Sequence, residues 1–184
     1  LNSSSIYSSG GATLLYNSTV TDASFLRLNF NPPNGVTYAG WSTSTTVIGQ
    51  SLTGLHNPQG DLQKYSSGAL TGYFVCSPSG ETFTCGISDS YSGTFIEEVF
   101  SQGIVEGGSS GSGIFTSGKY LVGQLYGGNT SCANPTAPLY YGRFDKTYSN
   151  GNLAQWLNAV APSSYSLSVS NAGNGNITSN PSGI

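Results

Sequence analysis

The feature that most constrains this chain is a regular recurrence of short strand-like runs separated by turn residues. VTYAGW (36–41), TTVIGQSL (45–52), ALTGYFVC (69–76), TFTCGI (82–87), TFIEEVF (94–100), GIFTS (113–117) and YLVGQLYGG (120–128) follow one another, with Gly, Pro, Asn and Ser between them. Ahead of them, residues 11–30 read as two apolar runs around a polar turn, and PPNG (32–35) is a strong turn signal. Even spacing of short runs is how an antiparallel sandwich or barrel is written in sequence. Composition agrees, because 26 glycines, 12 tyrosines and no methionine leave few segments with the Ala, Leu, Glu and Lys content of a helix. The expected fold class is all-β, an antiparallel sandwich or β-barrel with one short C-terminal α-helix.

That helix is expected over 150–162, where Leu153, Trp156, Leu157 and Val160 recur at i, i+3, i+4, i+7 and Pro162 supplies a stop. Beyond it the chain turns Gly/Asn-rich and uncharged. Residues 1–162 are therefore read as one domain, and 163–184 as a linker (163–167) and the start of a further β-module.

Charge excludes several function classes. Only 7% of residues are charged and the net charge is -3, yet 36% hydrophobic and 12% aromatic content argue for a packed core rather than disorder. The five basic residues, Arg27, Lys64, Lys119, Arg143 and Lys146, form no cluster in the sequence, so no nucleic-acid partner is expected. No apolar run reaches the length of a membrane span, so no membrane partner is expected either. The lone His56 has no other ligand-type residue at metal-binding spacing, and no metal or cofactor is expected. Glu97 and Glu98 would point to opposite faces of a strand, a poor arrangement for a glycosidase pair.

Cys76 and Cys85 flank the Pro/Gly-bearing turn SPSGETFT, which suggests a hairpin disulfide and an oxidising, secreted or periplasmic location. Cys132 is left over, either as a buried free thiol or with a partner outside this chain.

The stretch EGGSSGSGIF (106–115) is the most chemical part of the sequence. A serine nucleophile needs exposure and backbone N–H groups converging on the oxyanion beside it. Ser110 lies between Gly108 and Gly111 with a strand following, so Gly108 N–H and Ser110 N–H could form such a hole. Taken alone, the signal is weak and the loop reads more readily as a plain turn. A second element is TDASFLRL (21–28), where Asp22 sits in a turn at the entrance to an apolar strand; a buried aspartate there is the orienting member that a Ser–His pair needs.

On these residues the chain resembles the trypsin-like serine peptidases, and most closely the bacterial lysyl endopeptidase type. Supporting marks are SGGATLL before the Asp22 strand, AGW (39–41), GLHNP (54–58), GSSGSGIF (108–115), GQLYGG (123–128) and YYGRF (140–144), spread over roughly residues 9–161. The resemblance implies a double-barrel fold with its N-terminal barrel incomplete here, and hydrolysis of protein or peptide substrates. It makes Ser110 the nucleophile, Asp22 the orienter of the base, and Gly108 with Ser110 the oxyanion hole. Of the loop's other serines, Ser109 takes the place of an aspartate and Ser112 opens the next strand.

In that family the catalytic histidine precedes the aspartate, and no histidine precedes Asp22 in this sequence. His56 is expected to be structural, on the surface or in a turn of the second barrel. The resemblance therefore implies that an upstream segment of the same protein supplies the histidine and a partner for Cys132, and that the 184-residue chain alone is inactive. The substrate-binding strand would be Leu125, Tyr126 and Gly127. Lysine-specific relatives carry an acid two residues before the Tyr-Gly-Arg mark, where this chain has Leu139, and trypsin itself keeps an aspartate six before the nucleophile, where this chain has Ile104. Neither is charged, so a small or apolar side chain is expected before the cleaved bond. The rival reading is a non-catalytic carbohydrate-binding or adhesin-like β-module, with Tyr91, Tyr126, Tyr140 and Tyr141 stacking on sugar rings, or an inactive peptidase homologue.

Overall fold

A computed structural model describes residues 10–80 and 82–157. The chain forms β1 (Ala12–Ser18), β2 (Ala23–Leu28), β3 (Gly40–Trp41), β4 (Ser51–His56), β5 (Lys64–Ser79), β6 (Thr82–Ser88), β7 (Phe95–Gln102), β8 (Gly113–Thr116), β9 (Tyr120–Gly128), β10 (Leu139–Arg143), α1 (Phe144–Asn150) and α2 (Ala154–Leu157).

Six of these strands close on themselves. β4 pairs β5 and β8, β5 pairs β7, β7 pairs β10, β10 pairs β9 and β9 pairs β8, all antiparallel. Closure removes the sheet edge and encloses a core. Alternation selects the inward set, with Ile96 and Phe100 from β7, Leu139 and Tyr141 from β10, Leu52 from β4, and Ile114 from β8 all buried. β6 extends the long β5 strand into a hairpin outside the barrel, and Cys76 opposes Cys85 in direct register, joined by a disulfide. The expected hairpin disulfide is present.

β1 and β2 form a separate two-stranded sheet. Its Leu14, Leu26 and Leu28 side chains are more than half exposed, as is Phe30 just beyond it. Among the described residues these are the only strands outside the barrel sheet.

Several sequence expectations shift. The run 36–41 narrows to Gly40–Trp41, which pairs parallel to β9. The run 45–52 is irregular up to a tight turn at 47–50, where Gln50 N–H donates to Val47 O and Gly49 takes a φ of 85°; the strand starts at Ser51. The single helix becomes two. The first starts at Phe144, immediately after β10, and a φ of 47° at Asn152 separates it from the second. Leu153 is fully buried, whereas Trp156 is exposed and tilts against Phe25 of β2. Val160, Pro162 and the expected linker and further module lie outside the described residues. Cys132 is free but exposed, which corrects the buried-thiol alternative.

Candidate active site

The Gly/Ser loop between β7 and β8 is built by two successive turns, with Ser109 N–H donating to Glu106 O and Ser112 N–H to Ser109 O. Gly108 and Gly111 adopt φ of 92° and 79°, a region costly for any residue with a Cβ. Gly111 N–H donates to Leu125 O and Leu125 N–H to Ser112 O, fastening the loop to β9. The geometry separates the three serines. Ser109 is fully buried, Ser112 is half-buried as the chain enters β8, and Ser110 is exposed at the crest.

Ser109 is held from below by His56. The His56 Nδ1 atom lies 3.0 Å from Ser109 Oγ, and Nε2 lies 3.0 Å from Ser66 Oγ. Ser66 Oγ donates to Ile104 O at 3.3 Å, and Ser109 Oγ accepts from Glu106 N–H at 3.4 Å. These contacts assign the tautomer. Ser66 spends its proton on Ile104, so it accepts from His56 Nε2–H, and Nδ1 is then free to accept the Ser109 hydroxyl proton. A neutral imidazole satisfies the whole chain, and burial accordingly lowers the His56 pKa. The structural reading of His56 stands, at the end of β4 in the barrel interior rather than on the surface.

The backbone beside Ser110 is also fixed. Gln59, at a φ of 53°, donates its N–H to Gly107 O at 2.7 Å. In a trans peptide the carbonyl and the following N–H point in opposite directions, so this bond turns Gly108 N–H away from Gln59. Among the described residues, neither Gly108 N–H nor Ser110 N–H donates to another backbone carbonyl. Both donors remain available.

Asp22 reaches this region from the β1–β2 hairpin. Its anchors are its neighbours: Gln124 Nε2 donates to Thr21 O at 2.7 Å, and Thr147 Oγ1 to Thr21 Oγ1 at 2.7 Å. Gly142 of β10 lies so close that a Cβ there would meet Thr21 O at 1.8 Å. Asp22 itself, at a φ of 48°, is exposed rather than buried as the sequence suggested, because it points into the cleft that the anchors hold open. Partial desolvation raises its carboxyl above the usual aspartate range. A cavity of about 620 Å³ is lined by both Asp22 and Ser110, together with Phe25, Gln124 and Leu153. Residues distant in sequence thus meet in one cleft.

A second cavity, of about 320 Å³, opens on the other side of Ser110. Of the residues expected to bind substrate, Leu125 and Gly127 line it and Tyr126, Ile104 and Leu139 do not; Val105, Glu106, Gly128 and Thr130 also line it. Tyr126 instead packs its ring on Phe83 and Phe95, close enough to Asp22 for that charge to help raise its phenol pKa. Of the tyrosines proposed for sugar stacking, Tyr126 and Tyr140 meet on Phe83 and the other two lie apart. Tyr141 is fully buried, Tyr140 is packed against Phe74 and Phe83, and Tyr91 lies exposed beneath Lys146. The four together form no single platform.

The family model described as "Lysyl endopeptidase, C-terminal domain" matches residues 1–142. A lysyl endopeptidase of Pseudomonas aeruginosa is 36% identical over 157 residues, covering 81% of this chain and 31% of that protein. The chain thus spans about a third of that relative's length. Among solved structures, the active form of the Rv3671c protease of M. tuberculosis superposes with a TM-score of 0.54 at 14% identity, over 78% of this chain and 57% of that one. The HtrA-type protease AlgW gives a TM-score of 0.52 at 15% identity, over 77% and 39%. These likenesses are of fold.

Proposed function

This chain belongs to the lysyl endopeptidase C-terminal domain family, and on that premise we propose that it is the catalytic half of a serine endopeptidase. Ser110 attacks the scissile carbonyl, and the oxyanion that forms is received by Gly108 N–H and Ser110 N–H. Asp22 orients a histidine carried by an upstream segment of the same protein, which enters the cleft between Asp22 and Ser110. The histidine takes the Ser110 proton and returns it to the leaving amine, while Asp22 stabilises the imidazolium.

The observation that carries this reading is the shared cavity of Asp22 and Ser110, with Ser109 locked beneath by His56. Burial of Ser109 leaves one serine of the loop exposed to substrate on the Asp22 side. Within the family's pattern Ser109 replaces an aspartate, so an ion pair with a newly cut N-terminus has no acceptor there. The His56 bond supports the loop in its place.

The Cys76–Cys85 disulfide favours an oxidising compartment, hence a secreted or periplasmic protein. The name of the relatives points to cleavage after lysine, whereas Leu139 and Ile104 offer no charge to bind one. The carbohydrate-binding alternative loses its platform, since three of its four tyrosines are packed against other residues.

A serine-reactive fluorophosphonate probe tests the reading. Label is expected on Ser110 in the full protein and absent from the Ser110→Ala variant. Labelling of Ser110 in the 184-residue chain alone would overturn the requirement for an upstream histidine.

A further inference from the structure

His56 is bonded at both ring nitrogens, and the two bonds reach different parts of the Gly/Ser loop. Its Nδ1 atom accepts from the Ser109 hydroxyl at the crest; its Nε2–H donates to Ser66 Oγ, which donates in turn to Ile104 O at the loop entry. All three side chains are buried. Gly103, at a φ of 80°, brings the entry so near Ser66 that a Cβ there would collide with Ser66 Oγ. One imidazole therefore joins the entry and the crest of the loop.

The crest depends on that junction. The loop exit is tied to β9 through Leu125, and Gly107 O is held by Gln59 N–H. Both turn bonds of the crest run through Ser109, whose N–H donates to Glu106 O and whose carbonyl accepts from Ser112 N–H. The Ser109 carbonyl also shares one planar peptide with Ser110 N–H. Rotation of Ser109 therefore swings an oxyanion donor and carries the Ser110 hydroxyl with it.

The bond from His56 exists in one protonation state. A proton arriving at Nδ1 makes both ring nitrogens donors, so the Ser109 hydroxyl loses its acceptor while its oxygen already receives Glu106 N–H. Among the described residues no carboxylate bonds to the ring, so the new charge is unpaired as well. The titratable side chains around it offer no remedy. Lys64 of β5, opposed to His56 in the ladder, is exposed and paired with Asp61. Glu106 of the loop is exposed and accepts from Gln59 Nε2. Tyr141 of β10 brings a neutral hydroxyl beside Gly54, two residues before His56. Burial lowers the His56 pKa, the direction set by an imidazolium without a counter-charge.

We propose that His56 is a positioning residue for Ser110: as a neutral imidazole it holds Ser109 so that the Ser110 hydroxyl and the oxyanion donors face the substrate, and its protonation releases them. The inference rests on the endopeptidase reading and gives that site a second acid-sensitive group. The first is the histidine that takes the Ser110 proton, which cannot act as a base once protonated. The second never touches substrate. It acts through Ser109, and a proton taken from solvent at Nδ1 switches the loop off with no covalent change. As pH falls below the ordinary histidine value of 6.5, the two protonations multiply.

The test follows kcat and kcat/KM of the full protein on one peptide from pH 8 down to pH 4, with near-UV circular dichroism over the same range. The acid limb of log kcat/KM should steepen from a slope of about 1 to about 2, while the near-UV signal holds. Nitrogen NMR of histidine-labelled protein should show His56 with an unprotonated Nδ1 at pH 8 and a titration midpoint at the steeper break. His56→Asn sets an amide oxygen where Nδ1 stands. It should keep kcat at pH 8 within about tenfold and return the acid limb to a slope of about 1. His56→Leu keeps the bulk without an acceptor, and should lower kcat about 100-fold with KM nearly unchanged, the cost of a displaced oxyanion donor. If His56→Leu does not fold, the wild-type profile and His56→Asn decide. A wild-type limb without the steeper part, a steep limb that survives His56→Asn, normal kcat in His56→Leu, a proton on Nδ1 at pH 8, or an acid loss that tracks the near-UV signal would each overturn the inference. A protein that neither takes the fluorophosphonate label nor cleaves peptide at any pH defeats the endopeptidase reading itself. One that does both, with a single-proton acid limb, defeats only this inference.

Discussion

His56 Nδ1 lies 3.0 Å from the hydroxyl of Ser109, the residue immediately before Ser110, with 53 positions of chain between the two partners. This bond and its continuation to Ser66 connect β4, β5 and the Gly/Ser loop through one buried imidazole. Replacing His56 with Ala leaves two buried hydroxyls without their shared partner and opens a cavity, for an expected loss of about 2–4 kcal/mol. The pH dependence has a definite sign. The folded pKa is depressed below the ordinary 6.5, so the contribution of His56 is complete above pH 6.5 and is lost as pH falls toward the folded value. Urea titrations should show the stability difference between wild type and the His56→Gln variant growing in favour of wild type as pH rises from 5 to 6.5, and constant above it.

Glu98 carries the opposite sign. Its pKa is raised from 4.5 to about 8, so the folded state holds the proton and stability is complete below pH 4.5. Stability then falls as pH rises toward 8, because ionising Glu98 inside the barrel costs more than ionising it in the unfolded chain. Glu98→Gln keeps the size and removes the charge. It should be the more stable protein at pH 8.5, by a few kcal/mol, and the difference should shrink at pH 5. Equal stability of the two proteins at pH 8.5 would mean that water or a counter-charge reaches the carboxylate.

The sequence carried the barrel more fully than its junctions. Strands β5 through β9 were legible because short apolar runs alternate between firm turn signals, and Cys76–Cys85 marked the register of one hairpin. LYYGR, the strand β10 that closes the barrel, was visible only as a family mark. Four of its five residues are buried and the fifth is half-buried, so the alternation that identifies a strand is missing. The helix start at Phe144 was hidden for a related reason, since nothing in FDKTYSN announces a boundary and Arg143 has no side-chain cap to offer. Ser110 and Asp22 could be placed because each sits at a turn with its own local chemistry. His56 could be recognised as structural but not connected to Ser109, because long-range pairing leaves no trace in spacing. Period-two alternation put Glu97 and Glu98 on opposite faces; only closure of the barrel decided that Glu98 turns inward.

Gly108 tests the proposed oxyanion site. Its φ of 92° would cost an alanine about 1–2 kcal/mol, and the added Cβ would lie 3.1 Å from Gln59 N, the donor that holds the Gly107 carbonyl. Relief of that contact rotates the Gly107–Gly108 peptide and moves its N–H off target. In the full protein, Gly108→Ala should lower kcat about 100-fold, the usual cost of one lost oxyanion donor, with KM nearly unchanged. A variant with normal kcat would remove Gly108 N–H from the oxyanion hole.

Gly142 tests how Asp22 is placed. Among the described residues no hydrogen bond or ion pair holds the Asp22 side chain; its position follows from the docking of Thr21 on β10 and on Gln124. An alanine at 142 would set its Cβ 1.8 Å from Thr21 O and 2.3 Å from Gln124 Nε2, too close for either to stay. The barrel strand is fixed on both sides by β7 and β9, so the hairpin is the part that moves. The expected result is a barrel that retains its fold, with the β1–β2 hairpin displaced and kcat reduced at least 100-fold because the base loses its orienting carboxylate. Hydrogen exchange separates the two elements. Amides of β1 and β2 should lose protection in Gly142→Ala while those of β5 and β7 keep theirs, and uniform loss across the barrel would show that Gly142 serves the barrel rather than the placement of Asp22.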